Sequence, residues 1–182
     1  MSEKVDTKAR PTIGLFAGIF NKEGKLLLKR RTKEESLPGD WDLPGGAVEA
    51  ENNAKALDER IVDQELAREV MEEVGIRVTT GPMPAMFPAV VKGGNDWAFV
   101  IPIDGSHKPT KGETVFVSPD ELKKLAEGPE GNRLVSGWEK RMARLALKAL
   151  LHSPKQEYRE QAGSLLFEIH SQWLIAERTT IG

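Results

Sequence analysis

Four glutamates, Glu65, Glu69, Glu72 and Glu73, crowd one short stretch of the chain. At about 100° per residue they fall within an arc of roughly 100° on a helix. Glu65–Glu69 and Glu69–Glu73 are like-charge pairs at i, i+4, each unfavourable by about 0.2–0.5 kcal/mol on an isolated helix. Such a face is either a solvated acidic surface or a set of oxygen ligands for a hard cation such as Mg²⁺, which usually arrives with substrate phosphates. Arg68, four residues before Glu72, recovers part of the repulsion. Leu66, Val70 and Val74 form an i, i+4 apolar stripe beside the acids, so one flank packs while another is anionic. Gly75 stands where a helix's C-terminal glycine belongs. A helix ending near Val74 is therefore expected to carry the chemistry.

The elements that would position this helix lie upstream. Leu37-Pro38-Gly39-Asp40-Trp41-Asp42-Leu43-Pro44-Gly45-Gly46 reads as a turn, a short extended piece and another turn. Its glycines permit positive φ and close backbone approach. Trp41 is expected to be a core or rim aromatic.

Taken together, these segments resemble the Nudix box of the Nudix hydrolase family, G-x5-E-x7-R-E-U-x-E-E-x-G-U with U apolar. Arg68-Glu69-Val70-Met71-Glu72-Glu73-Val74-Gly75-Ile76 matches its C-terminal half at every specified position, and Leu43-Pro44-Gly45-Gly46-Ala47-Val48-Glu49 is similar to the family's lead into the box. Between the halves the chain departs from the pattern, with 21 residues separating Gly46 from Arg68. The pattern's isolated glutamate falls on Asn52 counted forward and on Arg60 counted back. Glu49, Glu51 and Glu59 are the neighbouring acids that would take its place, pairing with Arg68 or a metal. The inserted stretch reads either as a tolerated surface loop, since loop length costs little entropy, or as a flap over the site.

The resemblance implies an α/β fold, an α/β/α sandwich over residues 12–150 with a mixed sheet between the box helix and the C-terminal helices. Residues 1–11 would be a tail, and residues 151–182 an added accessory helix covering the domain or a partner subunit of a homodimer. It implies Mg²⁺- or Mn²⁺-dependent hydrolysis of a diphosphate linkage in a nucleoside triphosphate or nucleoside diphosphate sugar, by water attack at phosphorus. Glu69, Glu72 and Glu73 would hold the metal, one of them serving as base. Arg68 would orient a carboxylate, and Gly45 and Gly46 would position the helix. In similar proteins a basic residue at the end of the second strand faces the substrate, which makes Arg30 and Arg31 binding candidates. A loop acid commonly joins the metal, and Glu113 is the candidate. A nucleotide-binding or regulatory domain on the same fold would also account for the displaced glutamate. Nudix-like isopentenyl diphosphate isomerases have similar boxes but use a cysteine, and this chain has none.

Composition sets the outer bounds. The 182 residues are 39% hydrophobic and 30% charged, the balance of one soluble domain with a core of its own. A net charge of −2 predicts no broad attraction to nucleic acid. The absence of cysteine excludes disulfides, thiolate metal sites and thiol nucleophiles. The polar first ten residues have no secretory core, and no apolar run is long enough to span a bilayer, so a cytoplasmic location is the expectation.

Along the chain, residues 12–20 and 25–30 read as a hairpin about the Asn21-Lys22-Glu23-Gly24 turn. Residues 77–80 read as a short strand and 81–88 as irregular. Residues 89–91 and 97–103 read as a second hairpin, the latter apolar on both faces and so central, with Pro102 breaking its pairing near the end. Residues 114–117 form a further strand. Ser118-Pro119-Asp120-Glu121 then starts a helix with a cap, a proline at its first position and a capping-box glutamate. Residues 135–151 and 158–177 carry helical apolar spacing. His152 and His170, lacking spaced partners, read as surface or packed residues rather than ligands.

Overall fold

The computed structural model describes residues 13–47, 59–77, 87–90, 97–105, 108–135, 137 and 141–179. Strand alternation sorts the described side chains into two layers. Leu26 and Leu28 join one core with Phe20, Leu43 and Leu122, while Leu27 joins another with Leu15, Ala17, Ile19, Leu66, Val70 and Val74. A sheet with an apolar cluster on each face needs helices on both sides, which makes the molecule an α/β/α sandwich.

The sheet is built from β1 (Ile13–Phe20), β2 (Leu26–Arg30), β3 (Trp41–Asp42), β4 (Gly45–Ala47), β5 (Phe87–Val90), β6 (Trp97–Asp104) and β7 (Thr114–Val117). Its main path runs β3-β2-β1-β6-β5, with β4 on β1 and β7 on β2. β1 runs parallel to β6 over eight positions, Ile13↔Trp97 to Phe20↔Asp104. β1–β2, β1–β4, β2–β3, β2–β7 and β5–β6 are antiparallel, so the sheet is mixed. One face carries α1 (Glu59–Val74) and the other α2 (Pro119–Ala126), α3 (Arg141–Leu150) and α4 (Gln156–Thr179). α4 lies against α2 and α3, and the Lys123–Glu168 ion pair at 2.7 Å links α2 to α4.

Several expected boundaries move, each for a local reason. Gly45 and Gly46 are strand residues rather than a turn. Gly45 has φ +146° and pairs with Phe16, and Gly46 pairs with Leu15. A Cβ on Gly45 would sit 2.1 Å from the Leu15 carbonyl oxygen, so the glycine is there for close backbone approach. The helix expected from Val135 begins at Arg141 instead. Gly137 has φ +77°, which no helix interior accommodates. Arg77 lies outside regular structure, and the rest of the strand expected over 77–80 falls outside the described residues. Phe87 and Pro88, expected to be irregular, begin β5. Pro102 does not break the β1 ladder, since Gly18↔Pro102, Ile19↔Ile103 and Phe20↔Asp104 all pair. On the β5 side the described pairing runs from Val90↔Trp97 to Phe87↔Val100.

Elsewhere the expected local signals are in place. Ser118 caps α2 with a complete capping box to Glu121 and Pro119 in the first turn. Trp41 is buried at 8% exposure, with its Nε1 donating to Asn132 Oδ1 at 3.2 Å. Asp40 accepts from the backbone N–H groups of Gly131 at 2.8 Å and Arg133 at 3.3 Å, clamping the 131–135 segment along β3. No helix among the described residues is long and apolar enough to cross a membrane.

Candidate active site

α1 delivers its carboxylates because Leu66, Val70 and Val74 are fully buried against the sheet, which fixes the helix's rotation. Gly75, at φ +67°, ends it in the left-handed conformation, and its carbonyl accepts from Thr110 Oγ1 at 3.1 Å. With the rotation set, Glu69 and Glu73, one turn apart, line a cleft of about 330 Å³. Gly14, Phe16, Lys29, Arg31, Glu35, Asp42, Gly45, Gly46 and Arg141 complete its walls.

Each carboxylate is held from a different side. Glu73 Oε2 accepts from the Gly45 N–H at 2.7 Å, and its Oε1 accepts from Lys29 Nζ. Lys29 also donates to Glu35 Oε1 at 2.7 Å and is only 5% exposed. Burial pushes Glu73 up to about 7, against the pull of Lys29 and the Gly45 N–H. Burial, the largest influence on Lys29, pulls its ammonium down, but Glu35 and Glu73 together carry it above its ordinary value. Glu69 sits against Gly46, where a Cβ would lie 2.7 Å from Oε2, and its Oε1 accepts from Arg68 Nη2 at 2.5 Å. Arg68 also bonds Glu65 at 3.1 Å and Glu72 at 3.0 Å.

Two arginines also line the cleft. Arg31 Nη1 donates to Asp42 Oδ2 at 2.8 Å. Burial pushes Asp42 up to about 6, despite Arg31 and Lys29 nearby and the Leu43 N–H. The Arg141 guanidinium lies 5.3 Å from the centre of the Phe16 ring, a cation–π distance. Gly14 leaves it room, since a Cβ there would meet Arg141 Nη2 at 3.1 Å.

The expected site residues therefore divide. Glu69, Glu73, Arg31, Gly45 and Gly46 meet in the cleft, and Arg68 braces Glu69 from behind. Glu72 does not line the cleft and its side chain is 59% exposed. Arg30 alternates to the opposite side from Lys29 and Arg31. There it pairs with Glu113 at 3.0 Å and stacks 5.8 Å from the Trp41 ring centre. Glu113 is thus occupied by Arg30 rather than joined to the α1 carboxylates. Glu49 and Glu51 lie outside the described residues, and Glu59 opens α1. Lys29, Glu35, Asp42, Phe16 and Arg141 were not singled out from sequence. For Lys29 a signal existed: period-2 alternation puts it on the side of Leu27 and Arg31, toward α1.

The donor set suits a hard divalent cation. Among the described residues no group of three or more acidic, histidine or cysteine side chains is placed to hold a metal. Mg²⁺ does not require one, because it is commonly bound by one or two carboxylates with water and substrate phosphates filling the rest. Glu69 and Glu73 provide two carboxylates at one cleft, and Gly46 leaves the space that Glu69 occupies.

A family model described as NUDIX domain matches residues 8–138. The chain is 30% identical over 133 residues to a MutT-like protein of Streptomyces ambofaciens, covering 70% of this chain and 79% of that protein. It is 33% identical over 81 residues to a CTP pyrophosphohydrolase of Escherichia coli K12, covering 44% of this chain and 54% of that protein. The chain thus spans about half the length of that relative. Among solved structures, a MutT protein from Methanosarcina mazei is 27% identical with a TM-score of 0.48, covering 67% of this chain and 86% of that one.

Proposed function

This chain belongs to the Nudix hydrolase family, and from that premise we propose that it hydrolyses a diphosphate linkage in a nucleoside triphosphate or nucleoside diphosphate sugar, with Mg²⁺ or Mn²⁺ and water attacking phosphorus. The observation that carries this reading is the convergence of Glu69 and Glu73 with Lys29 and Arg31 on one cleft. A cleft lined by carboxylates and cations together is what a polyanion bridged by a divalent cation requires. The CTP pyrophosphohydrolase relative favours the nucleoside triphosphate arm.

The residues divide the work as follows. Glu69 and Glu73 would hold the cation, which when bound supplies Lewis acidity toward the diphosphate. Arg31, a planar guanidinium fork, matches phosphate oxygens bidentately, and Lys29, two residues before it on β2, offsets charge. The Gly45 N–H fixes one oxygen of Glu73, and the β4–β1 pairing fixes Gly45. Orientation of this kind lowers a barrier because it precedes the reaction.

The test is release of phosphate and pyrophosphate from a panel of nucleoside triphosphates and nucleoside diphosphate sugars, with and without Mg²⁺, with Glu73→Gln alongside. Turnover that needs both the metal and Glu73 supports the proposal. Full metal-dependent turnover by Glu73→Gln would sink the assignment of the site. A second reading, a nucleotide-binding domain without turnover, is favoured by one observation, the outward position of Glu72 on Arg68. Tight nucleotide binding with no hydrolysis across the panel would select it.

A further inference from the structure

We infer that Glu65 is the positioning residue for Arg68, and through Arg68 for Glu69. The inference rests on the hydrolase reading above. Among the described residues Arg68 holds three carboxylates, and they are not equivalent. The Glu72 side chain is 59% exposed, Glu69 is 17% and Glu65 is 11%. An exposed pair such as Arg68–Glu72 contributes little and yields to solvent. Glu65 is buried, and its carboxylate accepts from the guanidinium, so it has little room to follow a moving partner. Arg68 Nη2 is shared: it donates to Glu65 Oε2 at 3.1 Å and to Glu69 Oε1 at 2.5 Å. Glu65 therefore does two things to Glu69. It fixes the direction from which the guanidinium approaches, and it takes part of the positive charge that would otherwise rest on a carboxylate needed for a cation.

The two positions at which the box pattern would place its isolated acid hold Asn52 and Arg60. Glu65, three residues before Arg68 on the same helix, accepts from the guanidinium at 3.1 Å.

The test reads metal binding directly. Mn²⁺ is titrated into the full-length protein by electron paramagnetic resonance, with turnover measured in parallel. Glu65→Gln keeps shape and removes charge, and is expected to weaken Mn²⁺ binding about tenfold, the scale of losses from outer partners of metal ligands. kcat should fall by a similar factor, with KM for the nucleotide little changed. Arg68→Lys keeps the charge but loses the fork and should show the same loss. Combining the two changes should add little to either, as for residues acting in one chain. Glu65→Gln within twofold of wild type in both readouts, with Glu73→Gln having lost both, would overturn the inference while leaving the hydrolase reading intact. So would a loss carried by Glu59→Gln in its place. If Glu73→Gln itself bound Mn²⁺ and turned over normally, the site assignment beneath the inference would fall with it.

Discussion

Two adjacent glycines should fail in different ways when each is replaced by alanine. At Gly45 the obstacle is backbone: φ is +146° and an added Cβ would lie 2.1 Å from the Leu15 carbonyl oxygen. Holding alanine in that region costs about 1–3 kcal/mol, and shifting packed backbone to relieve the clash adds about 1–3 kcal/mol. A loss of about 2–6 kcal/mol is a large part of the ~5–15 kcal/mol that holds a domain folded. At Gly46 the obstacle is the end of a flexible side chain, the Glu69 carboxylate at 2.7–3.1 Å. Glu69 can turn aside for about 0.5–1.5 kcal/mol of rotamer cost, so Gly46→Ala should fold nearly normally. Its carboxylate would then be displaced from the cleft by the order of an ångström, and misplacement on that scale costs about 100-fold in rate. Urea unfolding and turnover measured on both variants check this. The expected pattern is Gly45→Ala with a sharply lowered midpoint, and Gly46→Ala with a near-normal midpoint and a collapse of metal affinity and kcat. Equal destabilisation of the two, or full activity in Gly46→Ala, would refute the geometry on which the argument stands.

Asp42 should make stability fall as pH rises. Its folded pKa of about 6 lies above the ordinary 3.8, so between those values the folded state binds more protons than the unfolded one. The slope of stability with pH is then negative, and the window is worth about 3 kcal/mol. The stability difference between wild type and Asp42→Asn, followed by urea unfolding from pH 4 to 7, should decline by that order, and a difference that rises with pH would contradict the burial argument. Lys29→Met removes a cation that is 5% exposed between Glu35 and Glu73 and should cost about 3 kcal/mol by stranding the half-buried Glu73 carboxylate. Adding Glu73→Gln should recover at least about 1 kcal/mol of that; strict additivity of the two changes would speak against the pair. Ser118→Ala breaks the capping box of α2 and should lower stability by about 1 kcal/mol with kcat unchanged, which a midpoint measurement and a turnover assay settle together.

What was legible in the sequence was whatever depends on near neighbours. The Leu66, Val70 and Val74 stripe fixed both the existence of α1 and the side on which its acids stand. Ser118 to Glu121 fixed the start of α2, because a capping box is complete within four residues. Alternation in Leu26-Leu27-Leu28 was enough to require two apolar layers. The glycine pair was legible as a place of close approach, but not as a strand. Nothing local says that the group approached is the Leu15 carbonyl, which lies thirty positions upstream in the chain and is brought there by the β1–β4 pairing.

The same distinction separates Arg30 from Lys29. A pair of arginines after an apolar strand invites assignment as anion binders, and charge alone cannot rank Arg30, Arg31 and Lys29. The pleat can. Lys29 shares a side of β2 with Leu27, which packs in the α1 layer, so it ends at the α1 carboxylate Glu73, and Arg31, just past the strand, joins it in lining the cleft. Arg30 must point the other way, where Glu113 and Trp41 receive it. Glu113 is drawn from the cleft by that same pairing, since β7 joins β2 antiparallel and the Arg30 N–H bonds the Glu113 carbonyl at 2.8 Å. The register that delivers Lys29 to Glu73 is therefore also the register that delivers Glu113 to Arg30. A protein with this strand pairing has Glu113 turned toward Arg30, while α1 supplies Glu69 and Glu73 to the cleft beside Glu35 and Asp42.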